Sequence, residues 1–142
     1  MDQAASNDQA MTRDSLYGTA AESTYAGVVS FSRRRYSRDL RGVDVVVSGV
    51  PFDTATSNRP GARFGPRQIR AESCLIRPYN MATGAAPFDA LQVADLGDVA
   101  INTYNLLKSV DIIEQHYRPV IAAGCIPLTL GGDHTIALPI LR

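Results

Sequence analysis

Residues 43–50 read VDVVVSGV, a run of β-branched residues without strict alternation of apolar and polar. Such a run suits a strand buried on both faces, the environment of a parallel sheet. Pro51 ends it, since proline has no N–H to give to a ladder. Toward the C terminus follow a loop rich in Gly, Pro and Asn, FDTATSNRPGARFG, and then PRQIRAESCLI. Pro66 fits the first turn of a helix there, where its missing N–H would be unpaired anyway. A second loop, PYNMATGAAPFDA at 78–90, leads into LQVADLGDV, a second strand candidate closing on Gly97 and Asp98.

Asn102 is placed to cap the next helix, whose apolar residues Leu106, Val110, Ile113, Tyr117 and Ile121 recur at helical spacing. Pro119 lies inside that pattern and predicts a kink or break near Tyr117. Gly124 then ends the helix, CIPLTLGGD forms a third strand candidate, and TIALPILR opens another helix. Strands alternating with helices predict an open α/β sheet with parallel strands.

Toward the N terminus, residues 1–24 (MDQAASNDQAMTRDSLYGTAAEST) are small and polar, the composition of a flexible arm. The next stretch, YAGVVSFSRRRYSRDL, sets aromatics among arginines and is expected to pack on its own domain or on a neighbouring subunit. The expected organisation is an arm and packing segment over 1–40 and an α/β domain over 41–142. That domain stops in an apolar segment without a glycine cap or polar tail, so an incomplete domain is expected.

A chain of 142 residues that is 45% hydrophobic has enough apolar material for one core. Fourteen basic residues balance fourteen acidic ones, so no long-range field gathers nucleic acid. The one local positive cluster, Arg33, Arg34, Arg35, Arg38 and Arg41, reads as a solvated or interface face rather than a polyanion site. Cys74 and Cys125 sit in apolar stretches and read as buried free thiols. No apolar run reaches the ~20 residues that cross a bilayer, and Asp2, Asp8, Asp14 and Glu22 outweigh Arg13 near the start, which argues against a targeting peptide. A cytoplasmic protein without membrane or nucleic-acid partners is the expectation.

In open α/β sheets, ligands bind just beyond the carboxyl ends of the strands, which singles out residues 51–65, 95–100 and 131–135. In the third, Gly131 and Gly132 allow a tight turn, and Asp133 and His134 then present a carboxylate and an imidazole. The imidazole is a natural ligand for a divalent metal, with the carboxylate free to orient it or to bind nearby. A lone histidine at a strand end is more often a hydrogen-bonded structural residue, so GGDH alone is a weak signal for a metal. His116 lies beside the helix face, two positions from Glu114, and is expected to face solvent. Asp95 and Asp98 should point to opposite faces if the strand continues through both, so loop capping is preferred to an acid/base pair. Arg59 and Arg63 bracket Pro60 and Gly61 and are expected to staple the long loop rather than to bind an anion. GARFGP lacks the Lys and Ser/Thr of a phosphate-binding loop, and no GxGxxG occurs.

Three segments together, GVPFDTATSNRPGARFGPRQIRAES at 49–73, VADLGDVAINTYNLL at 93–107 and IPLTLGGDHTIALPIL at 126–141, resemble the ureohydrolases (arginase/agmatinase family), above all agmatinases and guanidinobutyrases. IRPYNMATGAAPFDAL at 76–91 is similar to guanidinobutyrases in particular. The resemblance implies a three-layer α/β/α fold around a parallel sheet and two manganese ions (Mn2+) at the carboxyl ends of the strands. It also implies hydrolysis of a small guanidino substrate to urea and an amine, in a homo-oligomer. In that chemistry the metals lower the pKa of a bridging water and so make a hydroxide at neutral pH. The family's first metal ligand, the His of GGDH, falls on His134. Its other ligands lie in DAHxD and DxD motifs that do not occur here, and DVAIN has no His. One imidazole does not hold two hard, six-coordinate ions. No catalytic residue is therefore carried over, and the chain is expected to be inactive alone or to act through contacts with a full-length ureohydrolase.

Overall fold

A computed structural model describes residues 25–77 and 79–142; the expected arm at 1–24 lies outside the described residues. Its four strands are β1 (Arg35–Tyr36), β2 (Val45–Val50), β3 (Val93–Asp98) and β4 (Ile126–Gly131). They form one sheet in the order β1-β3-β2-β4, and every pairing is parallel. Between and after them come helices α1 (Gly65–Ser73), α2 (Pro87–Ala90), α3 (Leu106–Ala122) and α4 (Ala137–Ile140), with 3-10 turns at Phe31–Arg33, Ala62–Phe64 and His134–Ile136.

Alternation along β2 decides which helix covers which face. Val46 and Val50 belong to clusters with Val110's helix neighbours Ile113, Tyr117 and Val120, so α3 covers that face. On the other face Gly49 meets Pro66 of α1, and Asp95 of β3 meets Arg70 of α1. The result is a three-layer α/β/α arrangement. Val46, Val47, Val50, Phe52, Ile113 and Val120 are almost fully buried, and each such side chain contributes about 1.5–3 kcal/mol through removal from water.

The three strand candidates, the α1 helix and its Pro66 start stand as expected. Several local details differ. Strand β1 escaped the sequence reading: two residues, an arginine and a tyrosine, give no periodicity, and only pairing with Ala94 and Asp95 defines them as a strand. Asn105, not Asn102, caps α3, its side chain accepting the Lys108 N–H at 2.9 Å. Asn102 instead accepts from Tyr104 N–H within the preceding turn. Helix α3 runs unbroken to Ala122 through Pro119, which forfeits the single N–H bond to the carbonyl four residues back and does not end the helix. The buried stripe of α3 is Ser109, Val110, Ile113, Tyr117 and Val120; Leu106 and Ile121 are exposed.

His116 is a further correction. It is half-buried between α3 and the sheet, and its Nε2 lies 2.9 Å from Ser48 Oγ of β2. Beside it, Tyr117 hydroxyl and Thr129 hydroxyl of β4 are 2.7 Å apart. Burial, and then the charge of Arg38, push the His116 pKa below its ordinary value. Within the arginine cluster, Arg34 is buried and lies 4.6 Å over the Phe88 ring, so that part of the cluster is packing rather than a solvated face. Both cysteines are free thiols, Cys125 buried and Cys74 half-buried. No helix among the described residues is long and apolar enough to cross a membrane.

Candidate functional site

Strands β2 and β4 pair residue for residue up to Val50 and Gly131, so the segments that leave them start side by side at the carboxyl edge of the sheet. That parallel register, which no local sequence signal encodes, brings residues 51–55 against residues 131–135. The backbone N–H of Asp133 donates to Phe52 O at 2.7 Å, and the N–H of Ala55 donates to Asp133 Oδ2 at 2.9 Å. The other oxygen, Oδ1, accepts the N–H of Thr135 at 2.9 Å and so caps the 3-10 turn that begins with His134.

The two glycines have a different purpose from the one expected. Neither Gly131 nor Gly132 has a positive φ; what they provide is room. A Cβ on Gly132 would lie 2.5 Å from Phe52 O and 2.6 Å from Val50 O, and one on Gly131 would lie 2.5 Å from a methyl of Ile136. Only a backbone without side chains lets the two strand ends approach this closely.

The loop after β2 is closed by Asp53, a residue the sequence reading passed over within the first of its three places. Asp53 is buried and accepts the N–H groups of Gly61 at 2.7 Å and Arg63 at 3.2 Å, with the Arg63 guanidinium at 2.6 Å. Hydrogen bonding from the Arg63 side chain holds the Asp53 carboxyl down to about 2. Arg63 thus staples the loop, as expected, and its anchor is the residue two positions beyond Pro51.

Asp95 and Asp98 do not diverge. Gly97 has φ +78° and the β2–β3 register slips between Val47 and Gly49. This bulge adds a residue on β3 and turns both carboxylates toward α1. Arg70 meets Asp95 at 2.7 Å and 2.9 Å, Asp98 at 2.6 Å and Gly97 O at 3.0 Å. Burial opposes the charge of Arg70, yet the bonds from Asp95 and Asp98 outweigh it and hold its pKa above the ordinary arginine value. Pro66, Arg70 and Ser73 form the buried stripe of α1; an arginine on that inward spacing was the signal that could have found this network. It is structural rather than an acid/base pair.

The sequence's candidate ligand, His134, stands exposed at the carboxyl end of β4. Asp133 beside it spends both oxygens on backbone donors. Among the described residues no three His, Cys, Asp or Glu side chains converge into a metal site. The donor set fits one ligand of a metal and does not fit a two-metal centre by itself.

Fold, rim and motif agree with one protein class: the sequence profile of the arginase family matches residues 43–142, and the chain belongs to that family. Over 104 residues it is 67% identical to a guanidinobutyrase of Pseudomonas aeruginosa, covering 73% of this chain and 33% of that protein. It is 47% identical to an agmatinase of Chromobacterium violaceum over 137 residues, covering 94% of this chain and 42% of that protein. The X-ray structure of a hypothetical agmatinase from Burkholderia thailandensis superimposes with a TM-score of 0.84 at 49% identity, over 94% of this chain and 43% of that one. The chain spans about a third of the length of the curated relatives it matches.

Proposed function

We propose that this chain forms part of a manganese-dependent hydrolase that cleaves agmatine or 4-guanidinobutanoate to urea and an amine, and that His134 is its one metal ligand. The observation that supports this most directly is the exposed imidazole of His134 at the strand end where the family-matched GGDH segment leaves β4. The similarity to a guanidinobutyrase and to an agmatinase supports the guanidino substrate class. The remaining ligands come from residues outside this chain, since one imidazole does not hold a binuclear centre. A cytoplasmic, homo-oligomeric whole enzyme is part of the same proposal.

Urea release tests it. The purified 142-residue chain is expected to be silent with either substrate, and a longer polypeptide carrying DAHxD and DxD motifs is expected to be active with Mn2+ and lose activity with chelator. His134→Ala in that longer polypeptide should abolish the Mn2+-dependent rate. Chelator-sensitive urea release by the 142-residue chain would sink the idea that ligands lie elsewhere.

The open side of β4 favours a second reading, a non-catalytic chain acting through contacts with a full-length ureohydrolase. Strand β4 has a partner only on its β2 side among the described residues, and Ile126 and Leu128 on it are exposed. Such an edge pairs readily with another chain. Unchanged size and activity of the full-length enzyme after mixing would count against it.

A further inference from the structure

Each oxygen of the carboxylate next to His134 already accepts a backbone N–H, so a metal or a proton there would compete with a bond that holds two segments together. We infer that Asp133 is a positioning residue, a clip that fixes the loop after β2 to the turn carrying His134, and that it is not itself a ligand. The inference rests on the proposed role of His134 for its functional meaning, and on geometry alone for the clip.

Three bonds define the clip, and they tie two separate elements. Asp133 N–H holds Phe52 O, Oδ2 holds Ala55 N–H, and Oδ1 holds Thr135 N–H. A carboxylate suits this position because it is acceptor-only and offers two oxygens to two donors at once. Asparagine has one acceptor oxygen and would turn its NH2 toward one of the two N–H groups. Gly132 closes the same seam from the backbone side, since a Cβ there would strike Phe52 O and Val50 O. The neighbouring carboxylate, Asp53, holds the far end of the same loop at Gly61 and Arg63. Segment 54–60 is therefore gripped at both ends by carboxylates, one from β4's exit and one from β2's own. Through this grip the loop and the His134 turn keep one relative placement, the kind of support that a ligand side chain needs from the groups around it.

The experiment uses the 15N-labelled 142-residue chain, with amide exchange read at Ala55 and Thr135, at Val46 and Val47 as core controls, and with Mn2+ as a paramagnetic probe. In Asp133→Ala both rim amides should exchange at least about tenfold faster, the scale expected for losing a hydrogen bond to a charged acceptor, while the core controls hold. Asp133→Asn should release one of the two and keep the other. In the unsubstituted chain, Mn2+ should broaden the His134 ring and the Ala55 amide while leaving exchange at Ala55 and Thr135 unchanged. In Asp133→Ala the ring broadening should persist and the broadening at Ala55 should fall, a change that loss of stability alone does not produce. Faster exchange at Ala55 or Thr135 on adding Mn2+ to the unsubstituted chain would show that Asp133 leaves its donors for the metal, and would overturn the inference. So would unchanged exchange in both variants. If Asp133→Ala loses its core protection, Asp133→Asn and the Mn2+ titration of the unsubstituted chain still decide. Absence of any broadening at His134 would instead remove the metal reading and leave the clip to be judged by exchange.

Discussion

Asp95 and Asp53 each hold an arginine from the segment that runs from β2 through α1, yet the two pairs live in different surroundings. The Arg70 side chain is 8% exposed and Asp95 is fully buried, whereas the Arg63 side chain is 42% exposed over a buried Asp53. The first pair is sealed between helix and sheet; the second sits at a rim that water can reach. Removing a partner from a sealed pair strands a charge without solvent, and removing one from a rim pair lets water replace it. The difference separates what the fold requires from what the site has available to adjust.

The sharpest way to break that contrast is Arg70→Met. It should cost about 3–5 kcal/mol, because Asp95 then remains buried without its cation, and a fall in the urea midpoint would show it. Adding Asp95→Asn should restore part of the loss. A cost below about 1 kcal/mol would mean that water reaches Asp95 and that the two pairs are alike.

Gly132→Ala comes next, at about 1–3 kcal/mol for forcing atoms into a filled seam. The same denaturation measurement applies, and a neutral effect would mean that the strand ends can separate freely. At the rim pair itself, Arg63→Gln should destabilise less than Arg70→Met. It should also change the acid limb. Because Asp53 titrates at about 2 when folded and near 4 when unfolded, its contribution is present above about pH 4 and is lost as pH falls toward about 2. In Arg63→Gln the Asp53 carboxyl should titrate at higher pH, which carbonyl NMR across that window can follow.

His116 gives a pH effect of the opposite chemical kind. Its folded pKa lies below the ordinary value, so the unfolded chain takes up a proton that the folded chain resists. Stability should hold above about pH 6.5 and decline as pH falls below it, and His116→Gln should flatten that decline in thermal melts. The smallest effect belongs to Arg118→Ala. Its partner Glu114 lies one helical turn back at 2.6 Å on an exposed surface, a pairing worth about 0.3–0.5 kcal/mol.

These networks also mark where sequence reading succeeds and fails. Strand β2 was legible because residues 45–50 match a doubly buried strand at almost every position. The core stripe of α3 was legible at Val110, Ile113 and Tyr117, but its ends were not, because helix ends are set by capping bonds such as Asn105 to Lys108. His134 was legible as a candidate because a histidine after paired glycines at a strand end is a local pattern. Arg70 and Asp53 were not, since each takes its meaning from a partner: Asp95 lies 25 residues from Arg70, and Arg63 lies 10 residues from Asp53. His116 was misplaced for the same reason, its partner Ser48 being 68 residues away.

By itself the sequence determined the α/β class, the alternation of β2, β3 and β4 with α1 and α3, and the resemblance to the family. The class and the alternation are written in composition and period, and the resemblance in three segments taken together. Tertiary structure alone decided that β1 joins the sheet beside β3, that a bulge at Gly97 turns Asp95 and Asp98 together onto Arg70, and that Asp133 clips the β2 loop to the His134 turn. The physical reason is that register and hydrogen-bond pairing between distant segments are settled by how whole faces pack, and no window of neighbouring residues contains that information.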